Sequence, residues 1–217
     1  MNEPRSGKID QIFTEEEIIN FQRYMSALPD PLTLYDGNRF SSIGQQHIMY
    51  SWFCKKVFAK IQDLVDSRVQ LLFGSYLNEI SPFAVHSDYY HKSIGEPYRA
   101  FLIPISANHN IDQVGMTNTV IFNEEDTFVD NSDTRAYNSA SWMQTKTPKD
   151  NNALITHPRE LSHVPDDVLK CLTVQNVLNW TKGSLLWWDE KLLHVSDNFI
   201  ANNVQSKQAI VVHTYVV

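Results

Sequence analysis

The chain lacks several features that would place it in a familiar class of protein. It has only two cysteines, Cys54 and Cys171, among 217 residues, too few for a disulfide framework or a site of four thiolates. No apolar run approaches the roughly 20 residues that a membrane-spanning helix needs. No apolar segment follows the charged N-terminus, so we expect no secretory signal. These absences predict a protein of the reducing cytoplasm, without a membrane partner.

Common catalytic motifs and an excess of positive charge are missing as well. The sequence has no G-x-G-x-x-G, no Walker-type loop, no H-E-x-x-H and no G-x-S-x-G. Its net charge is −7, which disfavours binding to phosphate backbones, so we expect no nucleic-acid partner. The composition, 42% hydrophobic and 20% charged, is that of a globular protein. The length suits one domain over residues 1–217.

Helical signals are concentrated in the first third of the chain. Thr14 and Glu17 form a capping box that predicts the start of a helix, and Pro29 follows it as a stop signal. A second apolar stripe with helical spacing runs over about 44–66. We therefore predict a helical support layer over residues 1–67.

The rest of the chain has the pattern of β-strands. Apolar runs rich in β-branched and aromatic residues alternate with turn residues. They lie at 69–73, 76–80, 99–105, 119–122, 184–188 and 209–217. Residues 123–182 form a polar insert with few regular signals, which predicts a functional loop or lid, with one helix within 165–180. The expected fold class is mainly β with N-terminal helices, its β core spanning residues 68–217.

His86-Ser87-Asp88 is the sharpest chemical feature. On a strand, residues two apart point to the same face, so His86 and Asp88 can bind one metal ion. Two histidines and one carboxylate are the usual ligands of non-haem Fe(II) oxygenases. With 8 histidines and 25 acidic residues, chance alone supplies about one H-x-[DE] pair. The same residues also fit an ordinary capped or ion-paired surface histidine, so the surrounding sequence has to decide.

Three later segments supply that context. A strand that contains a proline follows at 97–105, and a Gly turn, an apolar strand and a polar hairpin lead to His194 in 183–194. The last strand opens with a cation, Lys207. From about residue 69 to 217 the chain resembles the double-stranded β-helix (jelly-roll) domain of the Fe(II)- and 2-oxoglutarate-dependent oxygenases. The leading helices also suit that family.

The resemblance implies specific roles for residues of this chain. His86, Asp88 and His194 would be the metal ligands and the catalytic centre, and Lys207 would bind the distal carboxylate of the cosubstrate 2-oxoglutarate. Arg99 is the alternative cation, because some branches use an earlier strand and Arg can hold a carboxylate with two hydrogen bonds. Lys207 is favoured by its position in the chain.

Further polar residues have less defined expectations. Tyr98 and Thr119 are candidate hydrogen-bond donors to the cosubstrate. His91 is an alternative metal ligand only if a turn brings it to the face of His86. His157 and His163 lie in the insert and are expected to be solvated or to contact substrate. His213 shares strand parity with Lys207 and is expected to line the barrel.

The resemblance predicts Fe(II) as the metal cofactor, and 2-oxoglutarate and O₂ as cosubstrates. A halogenating branch of the family lacks the carboxylate that Asp88 provides, so Asp88 points to hydroxylation or an allied oxidation. The polar insert and the acidic charge favour a small polar metabolite or a peptidyl residue as substrate. Two other functions stay open: a cupin-type metal enzyme that does not use 2-oxoglutarate, and a non-catalytic barrel that serves as a binding module.

Overall fold

The structure is a computed structural model that describes most of the chain. The described residues are 3–26, 33–35, 38–41, 52–88, 96–107, 117–125 and 161–217. Their helices are α1 (Glu15–Ser26), α2 (Trp52–Gln62) and the short α3 (Asp166–Leu169), with a 3-10 helix at Phe199–Asn202. None of the described helices is long and apolar enough to cross a bilayer.

Within the described residues, ten strands account for most of the regular structure. In chain order they are β1 (Ser6–Ile9), β2 (Thr33–Tyr35), β3 (Asn38–Ser41), β4 (Val69–Glu79), β5 (Glu96–Ala107), β6 (Asn118–Glu125), β7 (Val174–Asn179), β8 (Leu185–Asp189), β9 (Leu192–Ser196) and β10 (Lys207–Val216). They form two antiparallel sheets, one of seven strands in the order β1-β8-β5-β10-β4-β3-β2 and one of three in the order β7-β6-β9. The predicted mainly β fold class with N-terminal helices is confirmed.

The N-terminal helices pack on the outer face of the larger sheet. The capping box is formed as predicted: Glu17 N–H donates to Thr14 Oγ1 at 3.2 Å, and Thr14 N–H donates to Glu17 Oε2 at 2.9 Å. Ile18 and Ile61 are fully buried and join residues of alternate parity on β5 and β10. The helices thus cover one face of the larger sheet, and its other face lines the interior between the two sheets.

Alternation along each strand determines which side chains enter that interior. Leu102, Leu186, Trp188 and Ala209 belong to the interior cluster, whereas their strand neighbours belong to the helix-covered cluster. Because the period of a strand is two, a residue's parity decides its face. Lys207 shares the parity of the inward-facing Ala209 on β10. In the pairing of β10 with β5, the register first shifts between Gln208 and Ala209.

The insert predicted over 123–182 is more regular than its sequence suggested. Strand β6 continues to Glu125, and α3 lies inside the segment where one helix was expected. Strand β7, which also lies within 165–180, was missed because it is an edge strand whose three apolar residues do not alternate with polar ones. Its Gln175 and Asn176 make hydrogen bonds to Ser6 instead of packing in a core. Residues 126–160 of the predicted lid lie outside the described residues.

Candidate metal centre

Two sheets meet at a group of three potential metal ligands. One ligand atom from each of His86, Asp88 and His194 lies within 4.8 Å of the others. His194 Nε2 is 3.3 Å from Asp88 Oδ2, and His86 Nε2 is 3.9 Å from Asp88 Oδ1. An ion bound by all three would draw these atoms to about 3 Å apart, given metal–ligand bonds of about 2.1 Å. The donor set and its spacing therefore fit one metal ion.

The backbone brings the three residues together. His86 N–H donates to the His194 carbonyl at 3.0 Å, and His194 N–H donates to the His86 carbonyl at 2.8 Å. This antiparallel bridge extends the smaller sheet beyond β9. Asp88, two residues further on, is fixed when its N–H donates to the Glu190 carbonyl at 3.1 Å. Neighbours of His194 on β9, Leu193 and Val195, pack on the opposite side of the sheet.

Electrostatics favours a neutral His86 and an ionised Asp88, two of the protonation states that metal binding requires. Burial, together with the charge of His194, lowers the pKa of His86 to about 4, so its ring is neutral at neutral pH. Burial by itself raises the pKa of Asp88, but the neighbouring histidines, His194 first and then His213, hold that pKa below its ordinary value. A neutral imidazole and an ionised carboxylate are the forms that coordinate metal.

Two groups behind the ligands stabilise this arrangement. The indole N–H of Trp188 donates to Asp88 Oδ2 at 3.1 Å. Glu190, fully buried, accepts from the Thr214 N–H at 3.2 Å and lies 3.3 Å from His213 Nδ1. Although burial opposes it, the Glu190 carboxylate raises the pKa of His213. His213 thus lines the barrel beside the triad, as its strand parity predicted.

Lys207 lies in the barrel with its side chain completely buried. Its ammonium nitrogen is 3.3 Å from Glu79 Oε2, 4.1 Å from the centre of the Trp180 ring and 5.1 Å from that of Phe199. A lysine is almost never fully buried unless it is paired or binds an anion. Its position at the start of β10 therefore places a cation, paired with Glu79, inside the barrel.

Arg99 lies elsewhere. It shares the outward parity of Phe101 on β5, and its guanidinium is 3.0 Å from Glu3 Oε1 and 3.6 Å from Asp189 Oδ1. The same group stacks on the Tyr98 ring at 4.7 Å. Arg99 and Tyr98 are thus engaged with the N-terminal segment and β8, and the structure does not bring them to the triad.

Thr119 occupies an inward position on β6, with the same parity as the interior residue Ile121. Strand pairing places Ile121 opposite His194 and Thr119 opposite Ser196, so Thr119 lies two residues, roughly 7 Å, along the barrel from the histidine. Its hydroxyl accepts the Trp180 indole N–H at 2.9 Å. Because the Trp180 ring also contacts Lys207, one chain of contacts leads from Thr119 through Trp180 to the buried cation.

The remaining histidines have different outcomes. His163 is half-buried rather than fully solvated, and its pKa is lowered first by burial and further by the charge of Lys207. It therefore lies near enough to Lys207 for the two charges to interact. His91 and His157 lie outside the described residues.

Sequence reasoning overlooked three buried carboxylates, Glu79, Asp197 and Glu190, all of which the structure places around the site. Glu79 ends an apolar strand, and Asp197 follows His194 by three residues. An acidic residue at the end of a buried strand was the available signal. Sequence alone could not distinguish these residues from ordinary turn carboxylates, because it does not show which strand ends face the interior.

The comparisons with known proteins find likeness in structure and none in sequence. Neither a protein-family model nor a curated protein sequence matches the chain. Among solved structures, the alpha-ketoglutarate-dependent non-haem epimerase SnoN from nogalamycin biosynthesis matches with a TM-score of 0.59 and 7% identity, over 98% of this chain and 78% of that one. The non-haem carbocyclase SnoK matches with a TM-score of 0.56 and 11% identity, over 97% and 79%.

A third neighbour was crystallised with a metal ion and 2-oxoglutarate. HygX from Streptomyces hygroscopicus, with nickel and 2-oxoglutarate bound, matches with a TM-score of 0.54 and 12% identity over 98% of this chain and 83% of that one. Another HygX structure contains iron. The present chain therefore shares the double-stranded β-helix fold of these non-haem, 2-oxoglutarate-dependent enzymes.

Proposed function

We propose that this protein is a non-haem Fe(II)- and 2-oxoglutarate-dependent oxygenase that hydroxylates a small polar metabolite or a peptidyl residue. The observation that carries the proposal is the convergence of His86, Asp88 and His194 in the interior of the barrel. The fold neighbours, whose names include the same cosubstrate, support it.

In this proposal the three ligands hold iron on one side, and the other coordination positions are left to cosubstrate and oxygen. When bound, iron supplies the oxidising chemistry, in which O₂ and 2-oxoglutarate become succinate and CO₂ while a substrate C–H bond is oxidised. The protein's residues orient the ligands and exclude water. Trp188 and the Glu190 backbone fix Asp88 for that task.

Lys207 is the proposed partner of the distal carboxylate of 2-oxoglutarate. It faces the interior, whereas Arg99 is held by Glu3 and Asp189 on the other face of its sheet. Thr119, which is linked to Lys207 through Trp180, is the proposed second donor to the cosubstrate. Tyr98 loses support as a donor because its ring stacks on Arg99.

The reaction outcome and the substrate are tested separately from the cofactor. Since Asp88 occupies the position that a halide would need, the proposal favours hydroxylation over halogenation. Two fold neighbours are named as an epimerase and a carbocyclase. Succinate release from a substrate that gains no oxygen atom would therefore identify an epimerisation, a ring closure or another oxidation without hydroxylation. The net charge of −7 supports a substrate other than nucleic acid. The scarcity of cysteine supports a cytoplasmic location.

The decisive experiment is spectroscopic. Anaerobic addition of Fe(II) and 2-oxoglutarate should produce a weak visible charge-transfer band, and with oxygen the protein should release succinate. His194→Ala should lose iron binding, the band and succinate release, while the matched variant Val195→Ala, altered on the outward face of the same strand, should retain all three. Iron binding without the band would favour a cupin-type enzyme, and no retained metal would favour a binding module.

A further inference from the structure

The positive charge of Lys207 is already balanced before any ligand arrives. Glu79 Oε2 lies 3.3 Å from its ammonium nitrogen, and Asp197 is close enough that the two charges interact. All three side chains are buried, with residue exposures of 0% for Lys207, 6% for Glu79 and 0% for Asp197. With both carboxylates ionised, this buried cluster carries one positive and two negative charges.

The other groups around the cluster do not change that balance. On β6, Asn118 donates its side-chain amide to Asp197 Oδ2 at 3.3 Å but carries no charge. The Trp180 and Phe199 rings form two walls around the ammonium group. His163 faces the cluster from the segment before α3, and burial lowers its pKa, so it is neutral at neutral pH.

An incoming carboxylate would therefore add a third negative charge to one buried cation. Burying a charge without a partner is costly in a medium of low dielectric, so retention of a proton by one carboxylate is the less costly state. Asp197 is suited to hold it: burial raises its pKa to about 6, and a further anion nearby raises the pKa again. Within the described part of the chain, its Oδ1 atom is buried without a hydrogen-bond partner. In the protonated form, that oxygen can donate to the ligand.

We propose that a carboxylate ligand binds at Lys207 together with one proton, which Asp197 takes up from solvent. This inference rests on the proposed function, under which the ligand is the distal carboxylate of 2-oxoglutarate. Affinity for 2-oxoglutarate then falls by about tenfold for each pH unit above the titration of Asp197. Pyruvate has the same 2-oxo acid group but no distal carboxylate, so its binding should involve no such proton.

The test is calorimetric titration of the Fe(II)-loaded protein without oxygen, at pH 7.5, in two buffers with different ionisation enthalpies. We expect 2-oxoglutarate to take up about one proton and pyruvate none. Asp197→Asn should bind 2-oxoglutarate more tightly at pH 7.5 and without proton uptake, and Asp197→Ser provides the same comparison if the first variant does not fold. The exposed control Asp63→Asn should behave like the unaltered protein.

The possible failures are distinguishable. Binding of 2-oxoglutarate without proton uptake, or with the same uptake in Asp197→Asn, overturns this inference and leaves the proposed function intact. Equal proton uptake with pyruvate also overturns it, because the proton would then belong to the metal end of the site. No binding of 2-oxoglutarate at pH 5.5 or 7.5 overturns the proposed function and this inference together.

Discussion

Trp188 donates its indole N–H to Asp88 Oδ2 at 3.1 Å, within the buried interior of the barrel. The bond orients the carboxylate on which the two histidines converge. Its neighbour Trp187 has the opposite parity and packs with the helix-covered cluster. The two adjacent tryptophans therefore have different roles. Trp188 supports the candidate metal centre, and Trp187 packs outside the barrel.

Trp188→Phe should weaken metal binding by about 10–100-fold, the usual effect of removing a group that orients a ligand. The measurement is a titration with Fe(II) or Mn(II) under anaerobic conditions. Trp187→Phe is the matched control and should leave the metal affinity unchanged. Equal metal affinity in both variants would contradict the orienting role of Trp188.

Removing the Lys207 charge should weaken 2-oxoglutarate binding by about tenfold or more, as expected for a lost charged hydrogen bond. Lys207→Met is combined with Glu79→Gln, because removing one partner alone leaves an uncompensated buried charge. The constant to measure is the Kd of 2-oxoglutarate on the Fe(II)-loaded protein. Arg99→Gln should leave that Kd unchanged, and a rise in Arg99→Gln alone would transfer the role to Arg99.

Asp197 should make folding stability depend on pH in a predictable direction. Burial raises its pKa from 3.8 to about 6, so between these values the folded chain keeps a proton that the unfolded chain has released. This contribution to stability is lost as pH rises through the window, by at most roughly 3 kcal/mol. Asp197→Asn should therefore be more stable than the unaltered protein above pH 6 and similar to it near pH 4.

Urea denaturation at several pH values measures this difference, with Asp63→Asn as the exposed control. A stability difference between Asp197→Asn and the unaltered protein that does not vary with pH would contradict the assigned pKa.

Gly183 connects the helical layer to the barrel and should not tolerate a side chain. Its φ is +79°, and a Cβ atom there would lie 2.6 Å from the Phe13 carbonyl oxygen. Gly183→Ala should lower the free energy of unfolding by about 2 kcal/mol or more. Lys182→Ala, one residue earlier and exposed, should cost less than about 1 kcal/mol. Urea midpoints of the two variants give the comparison, and equal midpoints would contradict the steric argument.

The sequence was informative wherever a signal is local. The Thr14–Glu17 capping box specified the start of α1, because both of its hydrogen bonds lie within four residues. Apolar runs predicted β5, β8 and β10, because a run of this kind is also contained in a short stretch of sequence. Strand β7 was missed because its Gln175 bonds to Ser6, a contact across 169 residues that no local pattern contains.

The sequence by itself determined that this is a mainly β chain with an H-x-D pair, a later histidine and a choice of two cations. Only the tertiary structure placed His86 opposite His194, Lys207 inside the barrel and Arg99 on the other face of the sheet. It also gathered Glu79 and Asp197 around one buried ammonium group. The reason is physical. The local sequence determines which residues of a strand share a face, but the packing of the two sheets determines which face becomes the interior.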